Sequence, residues 1–341
     1  MKKPVTFSFV LLLTLLIAMP SIAGVDIDYT PNYKFKNLNT GILMSYVEMG
    51  KSSGIPVVLI HGATDSFISF SQVGAYLAAK GYRVYIPELR GHGNTSKPAA
   101  GPYTNALFAD DIEDWMKQVK IDQAHFVGHS LGSFVAQEMA LSYPKRVLSL
   151  TLIGSSTKTL DNPVGDWLLN GDDEFPGLLG MDGEIPYEFL EEWTYSTNFD
   201  PQFVEYTYNH AERLPFHTWI NVFSAFTFDN TARLSAITVP VLVIWGSEDD
   251  FFPIEDQIAL VDSLISAEVR FIQKDGIGHN THWEGIMGKE IAGDIDVFLN
   301  NGQNGNSQGG NNNNQGGNGN SQGGNGNSQG GNNNNQGGNS Q

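Results

Sequence analysis

The run Ala124-His125-Phe126-Val127-Gly128-His129-Ser130-Leu131-Gly132-Ser133-Phe134-Val135 joins a short β-prone apolar segment to the start of a helix, with a serine at the joint. Phe134, Val135, Met139, Ala140 and Leu141 fall at helical spacing as far as Tyr143-Pro144. The joint itself reads Gly128-His129-Ser130-Leu131-Gly132, a G-x-S-x-G pentapeptide. A serine on such a strand-to-helix turn has its hydroxyl thrust out at the carboxyl edge of a sheet. It also lies beside free N–H groups at a helix start, which can stabilise an oxyanion. Five residues are weak evidence alone, because Gly and Ser are common. A base, an acid and a second oxyanion donor must accompany them in the right order.

Outward from this unit the chain alternates strands with helices. Strands are predicted at 43–47, 56–60, 82–86, 147–153, 239–245 and 269–272, and helices at 71–80, 104–119 and 283–299. The unbroken apolar run at 56–60 suits a strand covered on both faces. Such alternation predicts an α/β fold, a mostly parallel sheet with helices on both faces. Residues 157–232 break the rhythm. They are rich in aromatics, Trp167, Tyr187, Trp193, Phe203 and Trp219 among them, with turn signals at Asn162-Pro163 and Ile185-Pro186. This predicts a helical cap insertion above the carboxyl edge of the sheet. Most of its aromatics form a small second core, and a minority line a substrate pocket.

The two ends read differently. Lys2 and Lys3 precede an apolar stretch at 5–19, and Ser21-Ile22-Ala23 offers small residues at the −3 and −1 positions. Residues 1–23 therefore read as a secretory signal peptide, and the protein as exported to the periplasm or medium. An uncleaved anchor is the rival, but the stretch is shorter than the ~20 residues a spanning helix needs. From 304 onward a seven-residue Asn/Gly/Gln/Ser repeat runs to Gln341. It has no hydrophobe for a coiled-coil seam and no charge, so 300–341 are expected to form a disordered tail. A repeat without function and a surface tether both remain open. That leaves 24–299 as the folded domain.

Composition excludes several classes. The 341 residues contain no cysteine, which removes disulfides, a thiol nucleophile and thiolate metal sites. Nineteen basic against 37 acidic side chains give a formal charge of −18, two units more negative once Lys2 and Lys3 are gone. Such a surface disfavours nucleic acid and anionic lipid as partners.

Three further segments fit the serine. His61-Gly62-Ala63-Thr64-Asp65-Ser66 follows the 56–60 strand, where the N–H of Ala63, with that of Leu131, would form a two-donor oxyanion hole. Gly246-Ser247-Glu248-Asp249-Asp250-Phe251-Phe252-Pro253 follows the 239–245 strand. Gly278-His279-Asn280-Thr281-His282-Trp283-Glu284 follows the strand at 269–272. Serine, acid and histidine thus come in that order, each in a loop after a strand, where ligands bind in open parallel sheets.

With Arg90-Gly91-His92-Gly93 and Ser96-Lys97-Pro98, these motifs resemble the α/β-hydrolase fold superfamily, in its esterase, haloperoxidase and epoxide-hydrolase-like branch, over about 41–299. The resemblance implies Ser130 as nucleophile, His279 as general base and Asp249 as the acid that orients it. Asp250 and His282 are the alternatives. The spacing from Gly246 favours Asp249, and the Gly278-His279 step with Glu284 five positions on favours His279. His129, His61, His92 and His125 read as packing or hydrogen-bonding residues. Haloalkane dehalogenases and epoxide hydrolases carry an aspartate where Ser130 stands. Glu88 replaces a frequent Asp, and Ser133 a frequent Gly. The implied activity is a cofactor-free, metal-free serine hydrolase acting on an ester, lactone or related acyl bond of a small apolar or aromatic substrate. Perhydrolase, acyltransferase and carbon–carbon hydrolase outcomes use the same residues. A secreted binding protein on the same fold is the non-enzymatic rival.

Overall fold

A computed structural model of the protein describes residues 25–307 apart from 102, 174 and 225. The expected signal peptide and residues 308–341 of the repeat lie outside the described residues. The sheet has eight strands: β1 (Lys34–Asn37), β2 (Leu43–Gly50), β3 (Pro56–Ile60), β4 (Arg83–Pro87), β5 (Ala124–His129), β6 (Val147–Ile153), β7 (Val241–Gly246) and β8 (Val269–Lys274), in the order β1-β2-β4-β3-β5-β6-β7-β8. β1 and β2 run antiparallel to their neighbours, and β4 onward is parallel. β1 escaped the sequence reading because Lys34-Phe35-Lys36-Asn37 is a short, largely exposed edge strand with no buried apolar face.

Side chains alternate across the sheet. Val57 and Leu59 face α1 (Ser71–Ala79) and the last helix, α10 (Met287–Ser307), whose Ile291, Ile295 and Leu299 are buried. Val58 and Ile60 face the other layer, made of α2 (Asn105–Val119), α3 (Leu131–Ser142) and α9 (Ile254–Ser263). Thr104 caps α2 by accepting the Leu107 N–H, and Lys120 ends it in the left-handed conformation. Every residue of α3 from Leu131 to Ala140 is buried, so this helix lies in the middle of the molecule.

Residues between β6 and β7 carry no strand of the main sheet. They form α4 (Pro163–Asn170), α5 (Gly177–Gly180), α6 (Tyr187–Trp193), α7 (Pro201–Glu212) and α8 (Phe216–Phe223). An isolated antiparallel bridge, Lys158 to Asp229, ties the two ends of this insertion together.

The last helix differs from the expected 283–299 at both ends. Residues Asn280 to Glu284 turn instead, with Trp283 N–H bonded to Asn280 O at 2.7 Å. The helix then continues past Leu299 to Ser307, so the first eight residues assigned to the tail are helical. Asn300 Nδ2 donates to Asp296 Oδ1 at 2.9 Å, an i,i+4 contact that carries the helix past the last buried hydrophobe.

Candidate active site

The residues of interest all follow carboxyl ends of parallel strands. β3 and β5 are paired through Ile60 and Gly128, so the turn after Ile60 lies beside the turn after His129. Ser130 sits at φ 48° and ψ −119°, a region that L-residues with a side chain rarely occupy. Such a conformation costs roughly 1–3 kcal/mol and persists only where the surroundings impose it. Here they do. A Cβ on Gly128 would lie 2.2 Å from Gly132 O, and one on Gly132 would lie 2.0 Å from Ile60 O, so only glycine permits this crossing. Ser130 N–H donates to Ile153 O, and Ser130 O accepts from the Ser133 N–H and from the Ser133 hydroxyl at 2.6 Å. Ser133 is thus part of the elbow. Its hydroxyl also meets Ser155 Oγ at 2.7 Å, which in turn accepts from Gln137 Nε2 at 3.1 Å.

The turn after β3 is held by two imidazoles. His61 Nε2 accepts the Leu89 N–H at 3.0 Å, which leaves Nδ1–H to donate to Gly62 O at 2.8 Å. In a trans peptide C=O and N–H point opposite ways. Pinning Gly62 O on His61 therefore aims the Ala63 N–H away from that ring. His92 repeats the pattern, with Nε2 accepting the Thr64 N–H at 3.0 Å and Nδ1–H donating to Arg90 O at 2.8 Å. Burial, chiefly, pulls the His61 pKa down to about 4 and that of His92 well below the ordinary histidine value, so both stay neutral as these bonds require. Thr64, a β-branched residue, is held at φ 59°. Leu131 N–H is the first of α3 and has no partner a turn earlier. Arg90, whose carbonyl receives His92, is itself fixed by a buried two-pronged pair to Asp111 at 2.7 and 2.9 Å.

Asp249 and His279 come together across the ends of β7 and β8. Both Asp249 oxygens lie 3.0 Å from His279 Nδ1. Oδ1 also accepts the N–H groups of Phe251 and Phe252 at 3.0 Å each, and the Asp249 side chain is fully buried. Asp250 is exposed and takes no part. His279 remains 15% exposed at its side chain, with Phe251 stacked on its ring at 4.7 Å. A carboxylate on Nδ1 leaves Nε2 as the proton-accepting nitrogen. Among the described residues no hydrogen bond joins Nε2 to Ser130 Oγ. The serine turn and the histidine loop are nevertheless neighbours, since His129 Nε2 bonds His279 O at 3.1 Å. Ser130 N–H is bonded to Ile153 O, and a Cβ on the next residue, Gly154, would lie 3.1 Å from the His279 ring. In apo structures such contacts are often loose.

The competing histidine packs against His129, with ring centroids 4.5 Å apart, and has no carboxylate partner among the described residues. His282 is 1% exposed, stacked on Phe70 at 4.5 Å, with both ring nitrogens lacking a partner among the described residues. Burial first, then His279, pulls its pKa down to about 3. His129, beside the serine, bonds His279 O through Nε2 at 3.1 Å and so ties the elbow to the histidine loop. His125 bonds Ser149 Oγ at 2.7 Å within the sheet.

Several further residues support the site. Glu284 lies on the surface and accepts the N–H and hydroxyl of Thr197, so it anchors the cap. Glu88 is buried and accepts from the Ser45 hydroxyl and, at 2.6 Å, from the Asn94 N–H. Trp193, the last residue of α6, donates its indole N–H to Thr64 Oγ1 at 2.8 Å. Phe251 had one visible signal, an aromatic pair set in an acidic loop. A cavity of about 290 Å³ lies inside the cap among Ile185, Tyr187, Leu190, Tyr208, Leu214 and Phe216, apart from Ser130 and His279. Among the described residues no three His, Asp or Glu side chains converge to hold a metal ion, and no helix is long and apolar enough to cross a membrane.

This arrangement has wide company. The family model for the alpha/beta hydrolase fold matches residues 55–286. The chain is 25% identical over 253 residues to 2-hydroxymuconate semialdehyde hydrolase of Pseudomonas sp. (strain CF600), covering 70% of this chain and 88% of that protein. It is 25% identical to Lipase 3 of Moraxella sp. (strain TA144), covering 78% and 84%. The solved structure of a thermophilic esterase from Thermogutta terrifontis superposes with a TM-score of 0.65 at 20% identity, covering 80% of this chain and 99% of the esterase. Strand order, elbow and family match agree: the chain belongs to the alpha/beta hydrolase fold family and is a hydrolase.

Proposed function

We propose that the protein is an exported serine hydrolase that cleaves a carboxylic ester, lactone or related acyl bond of a small apolar or aromatic substrate. The observation that carries this reading is the Asp249 carboxylate, 3.0 Å from His279 Nδ1, facing an elbow that holds Ser130 at φ 48°. In the proposed reaction Ser130 Oγ attacks the acyl carbon as His279 Nε2 takes its proton. The carbonyl oxygen becomes an oxyanion received by the N–H groups of Ala63 and Leu131. His279 then gives the proton to the departing alkoxide, leaving the acyl group on Ser130. Water, deprotonated by the same nitrogen, attacks the acyl-enzyme, and the proton returns to Ser130 as the acid leaves. Asp249 keeps the proton of the ring on Nδ1 throughout and stabilises the imidazolium. Export rests on the basic and apolar pattern of residues 1–23. A second reading, hydrolysis of a carbon–carbon bond beside a carbonyl, is favoured by the match to 2-hydroxymuconate semialdehyde hydrolase along 88% of that protein.

Fluorophosphonate labelling followed by peptide mapping tests the core of the proposal. Covalent capture at Ser130, absent in Ser130→Ala, is expected, together with turnover of p-nitrophenyl esters that Ser130→Ala lacks. Labelling at another serine, or unchanged turnover in Ser130→Ala, refutes it. Parallel assays on p-nitrophenyl esters and on 2-hydroxymuconate semialdehyde separate the two readings, turnover of the second alone favouring carbon–carbon cleavage.

A further inference from the structure

The oxyanion turn is not completed by the core of the protein alone. Thr64 follows Ala63 directly and is held in the left-handed region at φ 59°, where a β-branched residue is strained. Its N–H is taken by His92 Nε2 at 3.0 Å, and its hydroxyl hydrogen by Ala63 O at 2.6 Å. The remaining lone pair of Thr64 Oγ1 receives the Trp193 indole N–H at 2.8 Å, the one contribution to this set that comes from the cap. Trp193 is itself placed by its own insertion. Its ring stacks on Phe189 at 5.8 Å and meets Trp219 and Phe223 edge-on at 5.7 Å. It also meets Phe251 edge-on at 6.1 Å, and Phe251 lies on the His279 ring. One indole therefore touches the turn that carries one expected oxyanion donor and the aromatic that covers the expected base.

The segment that follows Trp193 is fastened to the core on the far side. Asn198 Nδ2 donates to Trp283 O at 2.6 Å, Thr197 N–H to Glu284 at 2.9 Å, and Tyr29 OH to Asp200 at 2.8 Å. The position of the indole is thus set by whether the cap is seated.

We propose that Trp193 is a positioning residue: through its bond to Thr64 the seated cap holds the Ala63 N–H in place, so the oxyanion hole is complete only when the cap is closed on the core. This rests on the serine-hydrolase reading above. It concerns a residue that acts through Thr64, distinct from the residues assigned to the chemistry. Removal of one oxyanion donor costs about 10²–10³ in kcat, so loosening one costs less, on the order of tenfold to a hundredfold.

The test uses the full chain with Trp193→Phe, Thr64→Val, Thr64→Ser and the double variant Trp193→Phe/Thr64→Val. Each is measured for kcat and KM on a p-nitrophenyl ester and for inhibition by a trifluoromethyl ketone, whose adduct places an oxyanion in the hole. Trp193→Phe keeps an aromatic ring at that position and deletes the donor. It is expected to lower kcat about tenfold to a hundredfold with KM changed less than about threefold, and to weaken the ketone by the same factor as kcat. Thr64→Val, which also deletes the hydroxyl's own bond to Ala63 O, should lose at least as much. Thr64→Ser should stay near the parent, and the double variant should be no worse than Thr64→Val. An unchanged kcat in Trp193→Phe, a loss confined to KM, or multiplying losses in the double variant overturns the proposal. If Trp193→Phe does not fold, Trp193→Leu, which also lacks the donor, takes its place under the same criteria, because Thr64→Val additionally deletes the bond to Ala63 O. Ser130→Ala run alongside keeps the two readings apart. Full activity there sinks Ser130 as the nucleophile and with it the serine-hydrolase reading, whereas an inert Ser130→Ala beside a normal Trp193→Phe sinks only the role of the tryptophan.

Discussion

Replacing Asp249 by asparagine exchanges one oxygen for an NH2 group, and the structure shows which one. Oδ1 accepts two backbone N–H groups, from Phe251 and Phe252, at 3.0 Å each. An amide nitrogen there would set donor against donor twice, so the carbonyl of the asparagine stays on that side. The new NH2 then takes the place of Oδ2, 3.0 Å from His279 Nδ1. A donor at that distance opposes the Nδ1 proton. Only the neutral carbonyl Oδ1, also 3.0 Å away and already shared with two N–H groups, is left to hold it. This favours the tautomer with hydrogen on Nε2, which cannot accept the proton of Ser130. In the serine-protease triad the same substitution costs about 10⁴ in kcat. At about 1.36 kcal/mol per decade that is roughly 5.5 kcal/mol of transition-state stabilisation. The fold should lose far less. Both backbone bonds survive as neutral ones, and the difference between charged and neutral acceptors amounts to about 1–3 kcal/mol in all. Ester hydrolysis by Asp249→Asn, compared with a thermal melt, should show a fall in kcat near four decades and a melting temperature lowered by a few degrees. Asp250→Asn, on the exposed neighbour, should be inert. A folded Asp249→Asn within tenfold of the parental rate, or a more damaging Asp250→Asn, would refute the assignment of the acid.

Lowering the pH should destabilise the fold. His61, His129 and His282 are buried with pKa values held down chiefly by burial, at about 4 for His61 and about 3 for His282. Their neutral forms stabilise the native state above ~6.5, and each loses on the order of 1.4 kcal/mol per pH unit as the unfolded chain takes up protons below that value. Asp65, pushed up to about 7 by burial, runs the other way, since its stabilising neutral form is lost as pH rises through 7. Glu88, Asp111 and Asp256, also raised chiefly by burial, act in the same sense as Asp65. The histidines that burial lowers, which include His92, His125 and His210 as well, outnumber these acids. The melting temperature should therefore fall between pH 7 and 5.5, and a flat or rising profile contradicts their buried neutrality. Gly132→Ala should fold poorly, because its Cβ meets Ile60 O at 2.0 Å, while Gly293→Ala in α10 has open space and should gain about 0.5–1 kcal/mol, both read by thermal melts. Equal melting temperatures for the two would mean the elbow relaxes freely. Deleting residues 308–341, which contain no hydrophobe, should leave the melting temperature and the rate on soluble esters unchanged. A large loss of stability on that deletion would make the repeat an ordered part of the domain.

Most of the sheet was legible because buried parallel strands need largely apolar, β-branched-rich runs, as at 56–60, 147–153 and 239–245. The edges were not. β1 is held by pairing with β2 and has no hydrophobic pattern, and the start of α10 shifts to Met287 because Trp283 turns inward to the core. The positions of Ser130, Asp249 and His279 were visible as three short motifs in chain order, each tied to a strand end by local backbone chemistry. Choosing between neighbours needed space as well as sequence. Asp249 and Asp250 are chemically the same residue, and so are His279 and His282. In each pair one side chain makes the Asp249–His279 contact, while the second is exposed (Asp250) or packed between Phe70 and His129 (His282).

What the sequence by itself determined was local: the strand-to-helix elbow, the glycines that permit it, and the order of serine, acid and histidine. These follow from backbone geometry and from the short range of helix and strand periodicity. Only the tertiary structure decided what meets across long stretches of chain. Trp193 reaches Thr64 over 129 residues and His129 reaches His279 over 150, and no periodicity in one segment encodes the hydrogen-bonding partner it finds in another.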